Sequence, residues 1–128
     1  MQRDRGRKIL LIDDSALSRQ VAQAALEEAG FDVREVATIK EFDRILLGWA
    51  PDMILTDVDM PEMTGGELCR FYKSRLPKFV PVILFSSLSE EELAPLARAC
   101  GADGFLSKRQ GLQRLAQQIE ELWESILW

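Results

Sequence analysis

Short apolar runs alternate with amphipathic stretches along this chain. Four of the runs are short, flanked by charged residues and without the alternation of a half-exposed strand, which is typical of parallel strands covered on both faces. A fifth run, at 32–37, alternates between apolar and polar positions and suits the edge of a sheet. The four buried strands are predicted at Ile9 to Ile12, Met53 to Leu55, Val80 to Phe85 and, more weakly, Gly104 to Leu106.

Five helical patterns separate and follow these strands. The clearest is the last, in which apolar residues between Leu112 and Ile126 recur at helical spacing. The fourth pattern has Ser89 as its expected N-cap, with Glu92 at the spacing of a capping box, and runs to Cys100. The other three are predicted from Ser15 to Ala29, from about Thr38 to a stop at Gly48 and Pro51, and from Gly66 to Leu76 with Pro77 as the stop.

The order is strand then helix, five times over. Strict alternation with short connections predicts right-handed crossovers, and therefore one α/β domain with a doubly wound parallel sheet of five strands between two layers of helices. A length of 128 residues is right for one domain, which we place at 1–128, with 1–7 as a flexible N-terminal arm.

Composition removes several classes of function. The chain has no histidine, which excludes Ser-His-Asp and Cys-His catalysis and histidine metal sites within it. The net charge of −5 disfavours direct binding of nucleic acid. Cys69 and Cys100 are far apart in the sequence and form no CxxC pattern, so we interpret them as reduced thiols.

No part of the sequence predicts a membrane segment. No apolar run approaches the roughly 18 residues that span a bilayer. The charged N-terminus is followed by an apolar run that stops at two aspartates, which is not a signal-peptide core. We therefore expect a cytoplasmic protein without membrane contact.

Polar residues follow four of the predicted strands at the point where each ends. In an open α/β sheet, ligands lie outside the carboxyl ends of the strands, where the strand order reverses. In a sheet of order 2-1-3-4-5, the first and third strands are neighbours there, so their acidic groups would meet in one pocket. The residues are Asp13 and Asp14 after the first strand, Asp57 after the third, Ser86 and Ser87 after the fourth, and Ser107 and Lys108 after the fifth.

Three carboxylates in one pocket repel one another unless they take up protons or a cation neutralises them. Ligands that are all oxygen suit Mg²⁺ or Mn²⁺. A lysine and a hydroxyl beside them would complete a phosphoryl-transfer site. Any one of these aspartates, taken alone, could instead be a helix cap or a turn residue. It is much less common for all of them to have such a role at the same edge of one sheet.

Four segments carry a resemblance to a known family. ILLIDDS at 9–15, PDMILTDVDMPEMTGGEL at 51–68, PVILFSS at 81–87 and GADGFLSK at 101–108 are similar to the receiver domains of bacterial two-component response regulators, the chemotaxis-regulator-like superfamily. The resemblance implies a flavodoxin-like fold with strand order 2-1-3-4-5. It also implies Mg²⁺-dependent phosphorylation of Asp57 by a histidine kinase or a phosphotransfer protein. Such a domain is not an enzyme: it catalyses only its own phosphorylation and its own slow dephosphorylation.

The resemblance also implies a role for each site residue. Asp57 would be the phosphoacceptor, and Ser86 and Lys108 would contact the phosphoryl group. Ser86 and Phe105 would form a switch that changes the face of the fourth helix, fifth strand and fifth helix. This face would contact a downstream protein or a covalently linked output domain, and a homodimer is a further possibility. The expected metal ligands are Asp14 directly, Asp13 mainly through water, Asp57, and Asp59 through its backbone carbonyl.

One position departs from the family pattern, and two other functions stay open. Arg109 follows Lys108 where the family usually has a proline after a cis bond, so we expect either a trans bond with an altered loop or a strained cis bond. One alternative is a phosphatase of the haloacid dehalogenase type, which the string DVD at 57–59 resembles. The other is a receiver that docks without phosphorylation.

Overall fold

The computed structural model describes residues 7–76 and 79–127, apart from the side chain of the last of these. Five parallel strands form one sheet whose order, with the strands numbered along the chain, is 2-1-3-4-5, which confirms the predicted fold. Two single-turn 3-10 helices, Lys108–Gln110 and Leu112–Arg114, precede the last helix. The elements are β1 (Lys8–Ile12), α1 (Ala16–Glu28), β2 (Asp32–Val36), α2 (Ile39–Leu46), β3 (Met53–Thr56), α3 (Gly65–Lys73), β4 (Val82–Ser86), α4 (Glu90–Cys100), β5 (Gly104–Ser107) and α5 (Leu115–Leu127).

The strand register fixes what meets at the carboxyl edge of the sheet. Ile12, the last residue of β1, pairs with Thr56, the last residue of β3. The strands β3 and β4 are buried along their whole length, as expected for central strands. The strand β2 lies at one edge, as predicted, with Asp32 and Arg34 exposed and with Val33 and Val36 buried in the cores on opposite faces of the sheet. Because β1 and β3 end in step, the residues that follow them emerge side by side.

Each face of the sheet has its own core. Helices α2, α3 and α4 cover one face, where Phe42, Leu68 and Leu93 are fully buried. Helices α1 and α5 cover the other face through Leu26, Ile119 and neighbouring apolar side chains. These two layers bury apolar side chains of all five helices, although Leu17 and Val21 of α1 stay exposed, and they leave the carboxyl edge of the sheet to polar residues.

Side-chain caps begin four of the helices. Ser15, Thr38, Thr64 and Ser89 each accept a hydrogen bond from a backbone N–H three residues later. The capping box predicted at Ser89 is present, and a second one begins at Thr64.

Two predicted helix boundaries are shifted. Helix α3 ends at Lys73, three residues before the predicted end, and the expected stop at Pro77 lies outside the described residues. Regular α5 begins at Leu115, because the chain from Leu112 first makes a 3-10 turn.

The first described residue already packs against the domain. The Arg7 carbonyl accepts a hydrogen bond from the Asp32 N–H at 2.8 Å, and the Arg7 guanidinium lies 4.6 Å from the centre of the Trp123 ring. The rest of the predicted arm, residues 1–6, lies outside the described residues. Across 7–76 and 79–127, no helix has the length and apolar character needed to cross a bilayer.

Candidate functional site

Three carboxylates meet at the carboxyl edge of the sheet. Asp13, Asp14 and Asp57 each present one oxygen, and these oxygens all lie within 4.8 Å of one another. The in-step ends of β1 and β3 place them there. Asp13 is buried, Asp57 is half-buried and Asp14 is exposed. The convergence that the strand-end pattern predicted is therefore present in the fold.

Asp13 is held by hydrogen-bond donors on both oxygens. Oδ1 accepts from the Ser15 N–H at 2.9 Å, and Oδ2 accepts from the Ser18 hydroxyl at 2.8 Å and from Lys108 Nζ at 2.6 Å. Burial alone would raise the pKa of Asp13, but the hydrogen bonds from these groups outweigh it and keep the pKa below its ordinary value. Asp13 is thus a fixed negative charge at neutral pH.

Lys108 lies between two of the carboxylates. Its Nζ is 2.6 Å from Asp13 Oδ2 and 3.9 Å from Asp57 Oδ2. The Lys108–Arg109 peptide bond is trans, and Lys108 begins a 3-10 turn, which fulfils the first of the two expectations for this bond. Arg109 in the usual proline position therefore still allows the Lys108 amine to reach the acidic cluster.

The environment of Asp57 disfavours its charge. Burial raises the pKa of Asp57 to about 6; Lys108 opposes the rise and the charge of Asp13 adds to it. The Val58 N–H donates to Oδ1 at 2.7 Å. Three carboxylates with one ammonium group leave an excess of negative charge, which a divalent cation would neutralise. Since all the available ligand atoms are oxygens, the residues fit Mg²⁺ or Mn²⁺.

The raised pKa of Asp57 predicts a pH-dependent stability in the absence of metal. The folded protein holds a proton on Asp57 up to about pH 6, whereas the unfolded chain releases it near 3.8. The free energy of unfolding should therefore contain a contribution that is complete below pH 3.8 and is lost as the pH rises through about 6. That contribution is about 3 kcal/mol at most.

Urea unfolding in EDTA across pH 4–7, for wild type and Asp57→Asn, measures this contribution. The variant should gain stability relative to wild type as the pH rises. A difference between the two that is the same at every pH would contradict the prediction. The depressed pKa of Asp13 acts in the opposite direction and only at lower pH, so it does not mimic the effect.

Ser86 and Phe105 lie near the site but not in the acidic cluster. The buried Ser86 hydroxyl accepts a hydrogen bond from the Leu88 N–H at 3.2 Å. In the part of the chain that the structure describes, Ser86 makes no hydrogen bond to an aspartate. Phe105 is half-buried and packs against the core on the α2–α4 side of the sheet. The switch proposed for these two residues stays a prediction.

The sequence did not predict a network of hydrogen bonds at the end of β5. Ser107 Oγ donates to the Leu88 carbonyl at 2.6 Å, and Arg109 Nε donates to the Ser87 carbonyl at 2.7 Å. These bonds tie the end of β5 to the loop that follows Ser86. The polar residues after β4 and β5 were visible in the sequence, but their pairing depends on how the two loops lie.

Arg19 is a second group that the sequence analysis missed. Its Nη1 donates to the Asp13 carbonyl at 2.7 Å, and its Nε donates to Glu35 Oε2 at 2.5 Å. Arg19 lies four residues after the N-cap Ser15, one helical turn along α1 and on the side that faces the acidic loop. The spacing of four residues from the predicted N-cap was the sequence feature that could have placed Arg19 near this loop.

The Gly65 backbone lies closer to the Asp57 backbone than a residue with a side chain would allow. A Cβ at this position would lie 2.2 Å from the Asp57 carbonyl oxygen. The Gly65 N–H donates to the Val58 carbonyl at 2.8 Å, which closes the loop between β3 and α3. The absence of a side chain thus lets this loop fold back on the site.

We expect Gly65→Ala to lower the free energy of unfolding by about 1–3 kcal/mol, because backbone must move to accept the methyl group. Gly48→Ala is the matched control, since a Cβ there meets nothing within 4 Å. Urea melts of both variants measure the difference. Equal urea midpoints for the two variants would contradict the steric contact between a residue 65 side chain and the Asp57 backbone.

Comparisons with known proteins agree on one family. A family model described as the response regulator receiver domain matches residues 9–120. The solved structure of the chemotaxis response regulator CheY4 of Vibrio cholerae superposes with a TM-score of 0.81 at 29% identity, covering 91% of this chain and 98% of that one. The receiver domain of a histidine kinase from Syntrophus aciditrophicus gives 0.78 at 34% identity, covering 94% and 92%.

Curated relatives are longer proteins. The transcriptional regulatory protein GltR of Pseudomonas aeruginosa is 33% identical over 119 residues, which cover 91% of this chain and 49% of that protein. The sensor kinase CckA of Brucella abortus is 33% identical over 118 residues, which cover 91% of this chain and 12% of that protein. This chain spans about half the length of the first and a small part of the second.

Proposed function

Because this chain belongs to the response regulator receiver domain family, we propose that it accepts a phosphoryl group on Asp57 in a Mg²⁺-dependent reaction and acts as a phosphorylation-controlled switch. A receiver domain is a signalling domain rather than a classical enzyme. The observation that carries the proposal is the position of Lys108 Nζ, 3.9 Å from Asp57 Oδ2 beside two further carboxylates.

The hydrogen bonds of the cluster favour Asp57 over its neighbours as the nucleophile. Both oxygens of Asp13 are engaged by donors, and Asp14 is exposed. The Oδ1 atom of Asp57 accepts from the Val58 N–H, whereas Oδ2 lies 3.9 Å from Lys108 Nζ, beyond hydrogen-bond distance. We infer that Oδ2 attacks the phosphorus atom, with the donor's bond to phosphorus breaking as the acyl phosphate forms.

Mg²⁺, when bound, would neutralise the charge on the phosphoryl oxygens. The side chains of Asp13, Asp14 and Asp57 and the carbonyl of Asp59 are the ligands that we propose for it. Lys108 would move from Asp13 toward the phosphoryl group, which adds roughly 1.5 to 2 negative charges.

We propose that the signal passes from Ser86 outward. Its hydroxyl would leave the Leu88 N–H and donate to a phosphoryl oxygen. The space behind it would then admit the ring of Phe105, and the face formed by α4, β5 and α5 would change shape. The bonds from Ser107 and Arg109 to the same loop would have to adjust with it.

The proposed phosphoryl donor is a histidine kinase or a phosphotransfer protein. These 128 residues contain no histidine, so the phosphohistidine must come from elsewhere. The relatives include both a sensor kinase and transcriptional regulators, which supports a kinase partner on one side and an output domain or downstream protein on the other. We propose no direct contact of this domain with nucleic acid.

Incubation of the wild-type protein with acetyl phosphate and Mg²⁺, followed by intact mass spectrometry, tests the proposal. One phosphoryl group per chain is expected, and EDTA should prevent its addition. Continuous release of nitrophenol from p-nitrophenyl phosphate would instead support a phosphatase. Absence of both labelling and turnover at saturating Mg²⁺ would leave only a docking receiver and would contradict the proposal.

A further inference from the structure

Two cysteines that are distant in the sequence lie in the contact between α3 and α4. Cys69 lies in α3 and Cys100 is the last residue of α4. Both are buried in the same core on this face of the sheet, and both are free thiols. Cys69 lies three residues after Gly66, on the side of α3 that packs against the end of α4.

A cavity reaches one of these thiols. It has a volume of about 360 Å³ and is lined by Cys100 and by residues of α3, α4 and the loop after β3, but not by Cys69. The two helices approach closely here, since a Cβ at Gly66 would lie 3.4 Å from the Cβ of Cys100. Cys100 is 6% exposed, whereas Cys69 is fully buried and does not line the cavity. A small molecule that enters the cavity therefore meets Cys100 first.

We propose that Cys69 and Cys100 are a redox-sensitive pair, which a small hydroperoxide entering between α3 and α4 converts into an intramolecular disulfide. This inference goes beyond the phosphoryl chemistry and does not depend on it. Cys100 is the residue that reacts with the oxidant, and Cys69 is the residue that resolves the product.

The chemistry balances with hydrogen peroxide as the oxidant. The Cys100 sulfur attacks one peroxide oxygen, the O–O bond breaks, and the released hydroxide leaves as water with the thiol proton. The Cys100 sulfenic acid is then attacked by the Cys69 sulfur. The S–S bond forms, the S–O bond breaks, and a second water leaves with the Cys69 proton. Two thiols lose two electrons, and one peroxide becomes two waters.

The surroundings of the pair predict a slow reaction. Burial, together with the neighbouring Cys100, raises the pKa of Cys69 to about 12. Cys100 is the last residue of α4, and its S–H is engaged in a hydrogen bond to the Ala97 carbonyl at 3.6 Å. The pair should therefore respond to sustained oxidant rather than to a brief exposure, and the disulfide would tie α4 to α3.

The test is a time course with hydrogen peroxide on the dilute full chain, followed by alkylation and mass spectrometry. The wild type should lose the mass of two hydrogen atoms, yield a Cys69–Cys100 cross-linked peptide and recover with dithiothreitol. Cys69→Ser should accumulate a dimedone-reactive sulfenic acid on Cys100. Cys100→Ser should remain unmodified over the same time, because the remaining thiol, Cys69, is fully buried and the oxidant does not reach it.

Circular dichroism and melting temperature check that both variants fold. If either variant does not fold, dimedone added during oxidation of the wild type identifies the cysteine that is oxidised first. It should capture Cys100 and not Cys69. Capture of Cys69 first, a disulfide between two chains, or oxidation of Cys100 beyond the sulfenic acid without a cross-link would overturn the proposal.

Discussion

Asp57→Asn is expected to abolish labelling by acetyl phosphate. The amide has no anionic oxygen to attack phosphorus, and the other two carboxylates of the cluster are unsuited to replace it. Asp13 is engaged by three donors and Asp14 lies exposed at the rim. Intact mass after incubation with the donor and Mg²⁺ measures the loss, which should be complete within detection.

Asp32→Asn is the matched control for this experiment. Asp32 is exposed at the start of β2, at the opposite end of the strand from the carboxyl edge, and it does not belong to the acidic cluster. The control removes the same charge and should keep the label. Residual labelling of Asp57→Asn at the wild-type level would mean that another residue is the acceptor.

Lys108→Met should give the largest change in stability. Asp13, whose side chain is 1% exposed, would lose its ammonium partner at 2.6 Å. Leaving a buried carboxylate without its partner costs about 3–5 kcal/mol, and the remaining bonds from Ser15 and Ser18 favour the lower end of this range. Chemical unfolding in EDTA measures the loss. Lys40→Met is the control, because Lys40 is exposed on α2.

The same substitution should strengthen metal binding. Lys108 is the cation that now offsets part of the cluster's charge, so its removal leaves Mg²⁺ without a competitor. We expect Mg²⁺ to raise the melting temperature of Lys108→Met by more than that of wild type, since stabilisation grows with affinity for the folded state. An identical Mg²⁺-induced shift in both proteins would contradict a shared role of the amine and the metal.

The acidic cluster was predictable from the sequence because it depends on strand ends. Parallel strands deliver the residues that follow them to one edge, so Asp13, Asp14, Asp57 and Lys108 could be placed together from their positions in the pattern alone. The capping box at Ser89 was equally local, since its two members are three residues apart.

Other features depend on how packed elements are turned toward each other. The contacts of Ser18 and Arg19 with Asp13 require the rotation of α1 about its axis. The orientation of the Ser86 hydroxyl requires the path of a loop. The approach of Cys69 to Cys100 requires the packing of α3 on α4, and no local pattern marks it. These relations arise from tertiary packing, which one sequence without its partners in space does not specify.

The pairing of Ile12 with Thr56 makes the geometry of the acidic cluster depend on the number of residues in β1 and β3. Side chains alternate between the two faces of a strand, so adding or deleting one residue within β1 or β3 would move the following side chains to the opposite face of the sheet and carry one acid away from the other. Length changes in the loops at the opposite edge of the sheet have no such effect. Substitutions among apolar residues within these strands should therefore disturb the site less than a change in strand length.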